Sequence, residues 1–415
     1  MKSPTHNSRG QTNPYTHQAL AHIRHLAEAI GDRGSCTPQE RQASEYIAAQ
    51  LRSLGCEKIS IDNFRAIAST YQPFALAFML ALAGTLAGLE GGRVATMLTC
   101  ILNFLGAWAM LAETELLPHW GRWLLPKANS QNVTSVIPPA GQVRARVVLS
   151  AHIDTHRTPV FYSSNIWYAA FSGLVGLAFL SMVAGTIIFG AGTLLAWRWI
   201  SWSILPIALI QLFALALCLH AEFTPYSPGA NDNASGVGVI LGLAQRFQAQ
   251  PMNHTEIHLV FTGCEEVGSY GMVTYVEQQA AALGDKTVYI VLDEVGLGTI
   301  TYLSADGLVL KHNTHPRALE LARQAAIASP ELGIQEKVGV AYTDAVVATQ
   351  RGLVALTVCT QPDPRSGKLS HWHQTSDTID TLEMETLSKT HDFVWELLTI
   401  IDGQQNQEEK IANPR

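Results

Sequence analysis

The chain has 415 residues, six cysteines and a formal net charge of -7, and only 15% of its residues are charged. The length exceeds one ordinary domain, and the acidic balance gives no basic footprint, so we expect no nucleic-acid partner. Typical soluble chains contain about 25% charged residues, so this composition favours membrane contact. The cysteines have no Cys-x-x-Cys spacing, which favours reduced thiols over a disulfide framework.

The amino-terminal part has the pattern of soluble α/β sequence. Residues 1–14 are polar and lack the apolar segment of a cleavable signal peptide, and we expect them to be disordered. Apolar residues at helical spacing predict a helix from Thr16 to Ile30. The stretch Thr37-Pro38-Gln39-Glu40 is a capping box, which predicts the start of a second helix. A strand is predicted at Lys58–Ile61.

A first long apolar stretch follows, from Phe74 to Leu111. Its only charged residues are Glu90 and Arg93, which flank two glycines and divide the stretch into two runs of roughly 16 to 18 residues. A membrane-spanning helix needs about 20 apolar residues, so each run is near the short limit. We predict a transmembrane hairpin here, and a buried core hairpin is the alternative.

The second apolar stretch, from Ile166 to Ala221, is a stronger membrane candidate. Arg198 is its only formal charge, and Trp197, Trp199 and Trp202 lie beside it. Tryptophans grouped at the end of an apolar run are typical of a membrane interface. The stretch therefore predicts a second transmembrane hairpin, which makes four spans and an expected contact with the lipid bilayer.

The basic residues near the predicted spans indicate an orientation. The hairpin tips carry only Arg93 and Arg198, whereas the opposite side is richer in Lys and Arg. Because basic flanks are retained in the cytoplasm, we expect a multi-pass protein of the cell membrane with a cytoplasmic catalytic side. The basic residues of that side are Arg52, Lys58, Arg65, Arg122, Lys127 and Arg157.

Strands and helices alternate outside the hairpins, and this alternation predicts a mainly parallel sheet covered by helices on both faces. The predicted strands are 132–137, 145–149, 256–261, 288–292 and 353–358, and the predicted helices are 235–247, 270–283, 316–328 and 384–401.

The same pattern predicts one domain interrupted twice. Its expected parts are 1–72 as the amino-terminal part, 73–112 as the first hairpin, 113–165 as the domain continued, 166–221 as the second hairpin, 222–403 as the remainder, and 404–415 as a disordered tail.

Two adjacent carboxylates, Glu265 and Glu266, follow the buried strand at 256–261. Neighbouring residues point in different directions, so one carboxylate can bind a metal while the other faces the substrate as a proton acceptor. Alone, such a pair is more often a solvated acidic turn.

Further metal-type residues follow other predicted strands or lie on loops before helices. His152 and Asp154 close the strand that ends near 149, Asp293 follows the strand at 288–292, and Asp232 precedes a helix. A loop before the last helix carries His371 and His373. The carboxyl ends of parallel strands meet at one edge of a sheet, so we expect these groups to converge. Mixed imidazole and carboxylate ligands beside a spare Glu match the needs of a two-zinc site.

At these residues the chain resembles the zinc-dependent exopeptidases grouped with bacterial leucyl aminopeptidase, relatives of which include glutaminyl cyclases, glutamate carboxypeptidases and the transferrin-receptor ectodomain. The resemblance covers nearly all the polar sequence, from Ile30-Gly31-Asp32-Arg33 through Asn132-Val133 to Asp377-Thr378, and the five motifs that carry the metal-type residues fall in the family's order. The resemblance implies a zinc exopeptidase-like α/β fold, into which the two transmembrane hairpins predicted from the apolar runs would be inserted. It also implies two zinc ions per chain and a peptide substrate, with hydrolysis from the amino terminus favoured.

The resemblance implies a role for each motif residue. His152 and Asp293 would bind one zinc, Glu266 and His373 the other, and Asp232 both; Glu265 would be the general base and Asp154 the partner of His152. His373 is preferred to His371 because Asp377-Thr378 follows it at the family's spacing.

The chain departs from the family at two places. Thr343-Asp344-Ala345 stands where the family has Ser-Asp-His, and the second apolar hairpin occupies a loop that is usually short. Two alternatives to a peptidase stay open: a glutaminyl cyclase-like acyltransferase, which uses one zinc, and a catalytically inactive membrane binding module of the same fold. The sequence leaves the oligomeric state undetermined.

Overall fold

The structure is a computed structural model, and it describes residues 13–195, 201–361 and 371–412. One nine-stranded sheet organises the chain. Its strands are β1 (Glu57–Ala66), β2 (Ala128–Ile137), β3 (Ala145–His152), β4 (Thr255–Thr262), β5 (Val288–Asp293), β6 (Thr299–Asp306), β7 (His312–Asn313), β8 (Gln335–Val338) and β9 (Val354–Gln361).

Helices cover the sheet and form a separate apolar bundle. They are α1 (Pro14–Arg24), α2 (Pro38–Ser53), α3 (Tyr71–Ala87), α4 (Gly92–Thr114), α5 (Trp120–Leu124), α6 (Asn165–Leu195), α7 (Ser201–Glu222), α8 (Gly236–Ala249), α9 (Tyr270–Leu283), α10 (Pro316–Ala328), α11 (Asp344–Gln350) and α12 (Met384–Ala412).

The sheet has the order β1-β2-β4-β3-β5-β9-β6-β7, and β8 pairs with β6. Its centre, β4-β3-β5-β9, is parallel, whereas β1 with β2, β2 with β4, and β6 with both β7 and β9 are antiparallel. The expected mainly parallel sheet is therefore correct for the centre only, and the sheet as a whole is mixed. Strand and helix alternation does not reveal the direction in which an edge strand pairs.

Two apolar cores cover the two faces of the sheet. One core joins α1, α2, α8, α10 and α12 to inward residues such as Leu149, Leu259 and Ile290. The other packs α9 and α11 against Val148, Val260 and others of the opposite face. Successive strand residues point to opposite faces, so a strand buried on both sides needs apolar residues throughout. This explains the uninterrupted apolar runs of β3, β4 and β5.

Four helices, α3, α4, α6 and α7, are long and apolar enough to cross a membrane, with candidate spans of 20, 23, 31 and 21 residues. α3 packs against α4 and α7, and α4 packs against α6. Large apolar side chains point outward along the four helices, for example Val94 at 75% exposure and Ile166 at 83%. Such a broad exposed apolar surface is typical of contact with a membrane or a partner.

Inside the bundle, small residues and one polar cluster fix the helix contacts. A Cβ atom at Gly106 of α4 would lie 2.9 Å from the backbone oxygen of Ala77, so only glycine permits this approach of α4 to α3. The Asn103 amide donates to the Thr85 hydroxyl at 3.0 Å, and the Gln211 amide donates to the Asn103 oxygen at 2.7 Å. This cluster satisfies its own polar groups and links α3, α4 and α7.

Several predicted boundaries match the structure, and others differ. α9 and α10 have the predicted bounds, and the Thr37 hydroxyl caps α2 by accepting from the Glu40 amide at 3.3 Å. The last helix continues to Ala412, beyond the start of the tail expected at 404–415. Two predictions concern residues that the structure largely leaves out. Of the aromatic group around Arg198, only Trp202 is described. Of the segment expected to be disordered at 1–14, only Asn13 and Pro14 are described.

Arg33 ties the amino-terminal region to two loops near the sheet's carboxyl edge. The side chain has no exposed surface. It donates to the backbone oxygens of Ile153 at 3.0 Å, Pro228 at 2.9 Å and Gly229 at 2.8 Å. A buried guanidinium is stable only when its donors are satisfied, so these carbonyl oxygens and Arg33 depend on one another. The loops that follow His152 and precede Asp232 are thereby held at a fixed separation.

Replacing Arg33 by Met should destabilise the protein by roughly 3 to 5 kcal/mol, because several buried carbonyl oxygens lose their donor. The unfolding midpoint of the purified full chain in detergent measures this loss. The matched control is Arg41→Met, because Arg41 makes only exposed contacts among the described residues. It pairs with Glu45 and donates to Asn63, and a surface ion pair is worth about 0 to 1 kcal/mol. Equal midpoints for the two variants would contradict the organising role of Arg33.

Candidate active site

The candidate site lies at the carboxyl edge of the parallel strands. His152 is the last residue of β3, and the register pairs it with Thr262, the last residue of β4. Asp293 is the last residue of β5. Strands that end level therefore place these residues side by side, as the sequence predicts for the carboxyl ends of a parallel sheet.

Asp232 faces two different histidines with its two carboxylate oxygens. Its Oδ1 lies 3.2 Å from the Nε2 of His152, and its Oδ2 lies 3.3 Å from the Nε2 of His373. His152 Nε2 also lies 3.4 Å from Asp293 Oδ1, and His373 Nε2 lies 3.3 Å from Glu266 Oε2. All five predicted ligands thus converge, in two groups that share Asp232.

A further histidine, His156, joins the second group. The nitrogen or oxygen ligand atoms of His156, Glu266 and His373 lie within 4.8 Å of one another, as do those of His152, Asp232 and Asp293. The His156 ring stacks on His373 with centroids 3.6 Å apart. Its Nδ1 donates to the backbone oxygen of the next residue at 2.6 Å, which leaves Nε2 as the acceptor nitrogen.

Asp154 supports the site in a different way from the one expected. The Nδ1 of His152 donates to the backbone oxygen of Asp154 at 3.0 Å, whereas the nearest Asp154 carboxylate oxygen is 3.7 Å away. The carboxylate instead accepts from the backbone amides of Glu265 and Glu266, at 3.1 and 3.2 Å, and from Ser35 at 2.6 Å. Asp154 therefore orients the Glu265-Glu266 turn as well as the His152 ring.

Asp377 orients the backbone at Asp232, as Asp154 orients the Glu265-Glu266 turn. Its two carboxylate oxygens accept from the backbone amides of Asn231 at 2.8 Å and Asp232 at 3.0 Å. Burial raises the pKa of Asp377 to about 7. Because Asp377 sits four residues after His373, one short segment both contributes a candidate ligand and positions the shared carboxylate.

The electrostatics of the site reflect many buried carboxylates in a small volume. Burial raises the pKa of Glu265 and of Glu266 well above the usual range for Glu, and neighbouring carboxylates add to the effect. Burial alone would lower the pKa of His152, but Asp293, Asp232 and Asp154 raise it well above its ordinary value. The site is therefore strongly attractive to cations.

The donor set fits zinc. Imidazole nitrogens and carboxylate oxygens are the protein ligands of catalytic zinc, which usually binds three of them, and each group offers three such residues. In the described part of the chain, the buried Oε1 of Glu266 has no hydrogen-bond partner. An unpartnered buried carboxylate oxygen is costly unless a cation neutralises it. Two buried groups of candidate ligands match the expected zinc dependence, and the number of ions stays a prediction.

Sequence reasoning missed His156, Asp377 and Ser35 as parts of the site. His156 is four residues after His152, but no pattern in the sequence indicates which way its ring turns. In the sequence analysis Asp377 serves only to select His373 over His371. The structure places the Nδ1 of His371 2.8 Å from the Ser376 hydroxyl.

The departure at Thr343-Asp344-Ala345 has a structural explanation. Asp344 is buried and accepts from the Thr262 hydroxyl at 2.5 Å. Burial raises its pKa to about 6. Ala345, the second residue of α11, belongs to the apolar core that packs α9 and α11 against the sheet. The position that is His in the family is thus a small packing residue here.

This mixed sheet with two joined groups of His and carboxylate residues defines a zinc exopeptidase-like fold. Solved structures agree. The chain aligns with BSAP, a zinc aminopeptidase from Bacillus subtilis, over 94% of its length and 96% of that protein, with a TM-score of 0.55 at 15% identity. It aligns equally well with a Bacteroides thetaiotaomicron glutaminyl cyclase, over 94% of this chain and 99% of that protein, with a TM-score of 0.55 at 15% identity. At such identity these similarities concern the fold alone.

Residues 213–398 match the sequence model of Peptidase family M28. This match confirms the resemblance to the zinc-dependent exopeptidases and supports the expected enzyme class, a metallo-exopeptidase hydrolase. The matched region begins in α7 and includes Asp232, Glu266, Asp293 and His373.

Two curated relatives match shorter segments. Aminopeptidase YwaD of Bacillus subtilis is 41% identical over 58 residues, which is 14% of this chain and 12% of that protein. The probable lipoprotein aminopeptidase LpqL of Mycobacterium tuberculosis is 33% identical over 89 residues, 21% of this chain and 18% of that protein. The chain thus covers less than a fifth of either curated relative.

Proposed function

We propose that the protein is a membrane-anchored zinc metallopeptidase that removes amino-terminal residues from peptides. The observation that supports this most strongly is the carboxylate of Asp232, which faces His152 with one oxygen and His373 with the other. The similarity to two aminopeptidases favours cleavage at the amino terminus. No feature of the site favours the glutaminyl cyclase alternative.

In this proposal His152, Asp232 and Asp293 hold one zinc, and Asp232, Glu266 and His373 hold the second. Zinc bound there would supply Lewis-acid chemistry, which lowers the pKa of water and polarises a carbonyl group. Asp154 and Asp377 keep the surrounding backbone in position through the amide contacts described above.

Glu265 is the proposed general base. It adjoins Glu266 yet belongs to neither group of candidate ligands, and it lines the cavity at the site. Its raised pKa makes its carboxylate a stronger proton acceptor, which suits general-base catalysis near neutral pH. Glu265 accepts a proton from the water that attacks the scissile carbonyl. When the carbon–nitrogen bond breaks, the same carboxyl group donates that proton to the leaving amine.

Replacing Glu265 by Gln should lower kcat by roughly 10² to 10⁴, the usual contribution of general acid-base catalysis, while bound zinc is unchanged. Turnover of a chromogenic leucyl substrate and the zinc content by mass spectrometry give the two readouts. The matched variant is Glu266→Gln, which should lose zinc as well as activity. Retained turnover in Glu265→Gln would refute the role of Glu265 as general base. Equal zinc loss in both variants would refute the assignment of Glu266 as a zinc ligand and Glu265 as the base.

We also propose that α3, α4, α6 and α7 span the cell membrane, with the site on the cytoplasmic side. Their length and apolar composition support the spans. The concentration of Lys and Arg on the side of the site, against few at the hairpin tips, supports the orientation.

Membrane-impermeant thiol labelling of intact cells tests this orientation. Glu90→Cys and Leu194→Cys lie near the two hairpin tips and should be labelled from outside above the level of the parent chain. Ser53→Cys, exposed at the end of α2, is the control and should be labelled only after permeabilisation. Labelling of Ser53→Cys in intact cells, with protection of the other two, would reverse the proposed orientation.

A further inference from the structure

One cavity of about 820 Å³ contacts both the candidate site and all four apolar helices. Glu265, Glu266 and His373 line it at the site. Ligand pockets in proteins have volumes of about 300 to 1,000 Å³, so the cavity is large enough for a sizeable substrate. On the helix side its lining is mainly apolar, with Glu113, Thr114 and Ser172 among the exceptions. The apolar residues include Phe74, Phe78, Met110, Phe171, Val175 and Ala214.

The cavity penetrates deep between the helices. Phe78 is seven residues from the first residue of α3, and Gly176 is eleven residues from the first residue of α6. With a helix rise of about 1.5 Å per residue, these positions lie about 10 and 16 Å from the ends nearest the site. A bilayer's hydrocarbon core is about 30 Å thick, so the cavity would extend well into it.

A chain of ring contacts connects the site with this apolar end. Tyr162 lies 4.6 Å from His373 and 5.1 Å from Trp372, measured between ring centroids. Phe161, the neighbour of Tyr162, stacks on Phe171 of α6 at 3.9 Å. The wall of the cavity is therefore continuous from a candidate zinc ligand to a helix of the bundle.

The opposite wall, on the side of β6 and β9, is mixed. Glu294, Asp306 and Thr343 line it beyond Asp293, together with apolar residues such as Leu303 and Val309. The Asp306 carboxylate accepts from the Thr343 hydroxyl at 2.7 Å. The charged groups of the cavity thus concentrate around the candidate site, whereas its helix side is mainly apolar, so an amphipathic occupant matches both.

We propose that the substrates are peptides or amino-acid amides that carry a long unbranched alkyl chain, which lies between α3, α4, α6 and α7 while the scissile amide lies at the site. This inference rests on the proposed peptidase function and names the substrate class. The cavity is too small for a helical membrane segment. A helix about 10 Å wide occupies about 420 Å³ per turn of 5.4 Å, so the whole cavity would hold about two turns, far fewer than the roughly 20 residues of a membrane-spanning helix.

The test uses the zinc-loaded full chain in lipid nanodiscs and two substrate series. In leucine n-alkylamides the alkyl chain is on the leaving amine, and in p-nitroanilides of 2-amino-n-alkanoic acids it is on the amino-acid side. Each additional methylene buried in the cavity should raise kcat/KM about threefold to fourfold in at least one series, until the cavity is full. The series that responds identifies the side of the amide that carries the chain.

Two glycines of α6 provide matched variants. A Cβ atom added at Gly176 or at Gly173 meets no atom within 4 Å, so both positions accept a larger side chain without a clash. Gly176 lines the cavity, whereas Gly173 is not among its lining residues. Gly176→Leu should lower the ratio of long-chain to short-chain kcat/KM at least tenfold, and Gly173→Leu should leave this ratio unchanged.

Rates that do not depend on chain length in either series, or a ratio equally affected by both glycine variants, would overturn the inference and leave the peptidase proposal intact. If no amide is hydrolysed, the peptidase proposal fails, and binding decides the inference. Calorimetric titration with leucine dodecylamide should then show binding that Gly176→Leu weakens and Gly173→Leu does not. Absence of binding would overturn the inference.

Discussion

The carboxylate of Asp232 is the constraint on which the rest of the site depends. Its two oxygens face His152 and His373, which come from opposite ends of the motif order, so the two groups of candidate ligands cannot be separated without moving this residue. Asp377 fixes its backbone from one side, and Arg33 fixes the preceding loop from another. The surrounding fold therefore keeps several buried carboxylates closer together than their mutual repulsion favours, and bound cations, as proposed, would compensate for this repulsion.

The second apolar hairpin is connected in sequence to the residues that surround Asp232. α6 and α7 lie between His152 and Asp232 in sequence, so both ends of the insertion lead directly into the site. α3 and α4 lie between β1 and β2 in sequence. Just beyond α4, the Arg122 side chain pairs with Glu113 at 2.8 Å. The same side chain lies close to Gly268, in the loop that carries Glu265. Short, buried connections thus join the apolar helices to the loops of the candidate site. The cavity between them is lined by residues of both.

The sequence predicts the convergence of the ligands because parallel strands end at one edge, and three of the four central strands, β3, β4 and β5, end at or just before a His or a carboxylate of the site. It does not predict the ring orientation of His156, which depends on stacking against a residue more than two hundred positions later. The strands β6, β7 and β8 are absent from the predicted elements. β7 and β8 have two and four residues, too few for a period to be visible, whereas β6 has eight and shortness does not explain its omission. The cavity was also absent, since hydropathy gives the length of each apolar helix but not its neighbours.

Zinc-edge X-ray absorption of the zinc-loaded full chain, with the metal content measured on the same sample, tests the sharing of Asp232 most directly. Two zinc ions per chain and a zinc–zinc scattering path of about 3.5 to 4 Å are expected, because a bridging carboxylate keeps two metals at that separation. A single zinc per chain, surrounded only by nitrogen and oxygen neighbours, would contradict the two-zinc assignment and with it the proposed mechanism.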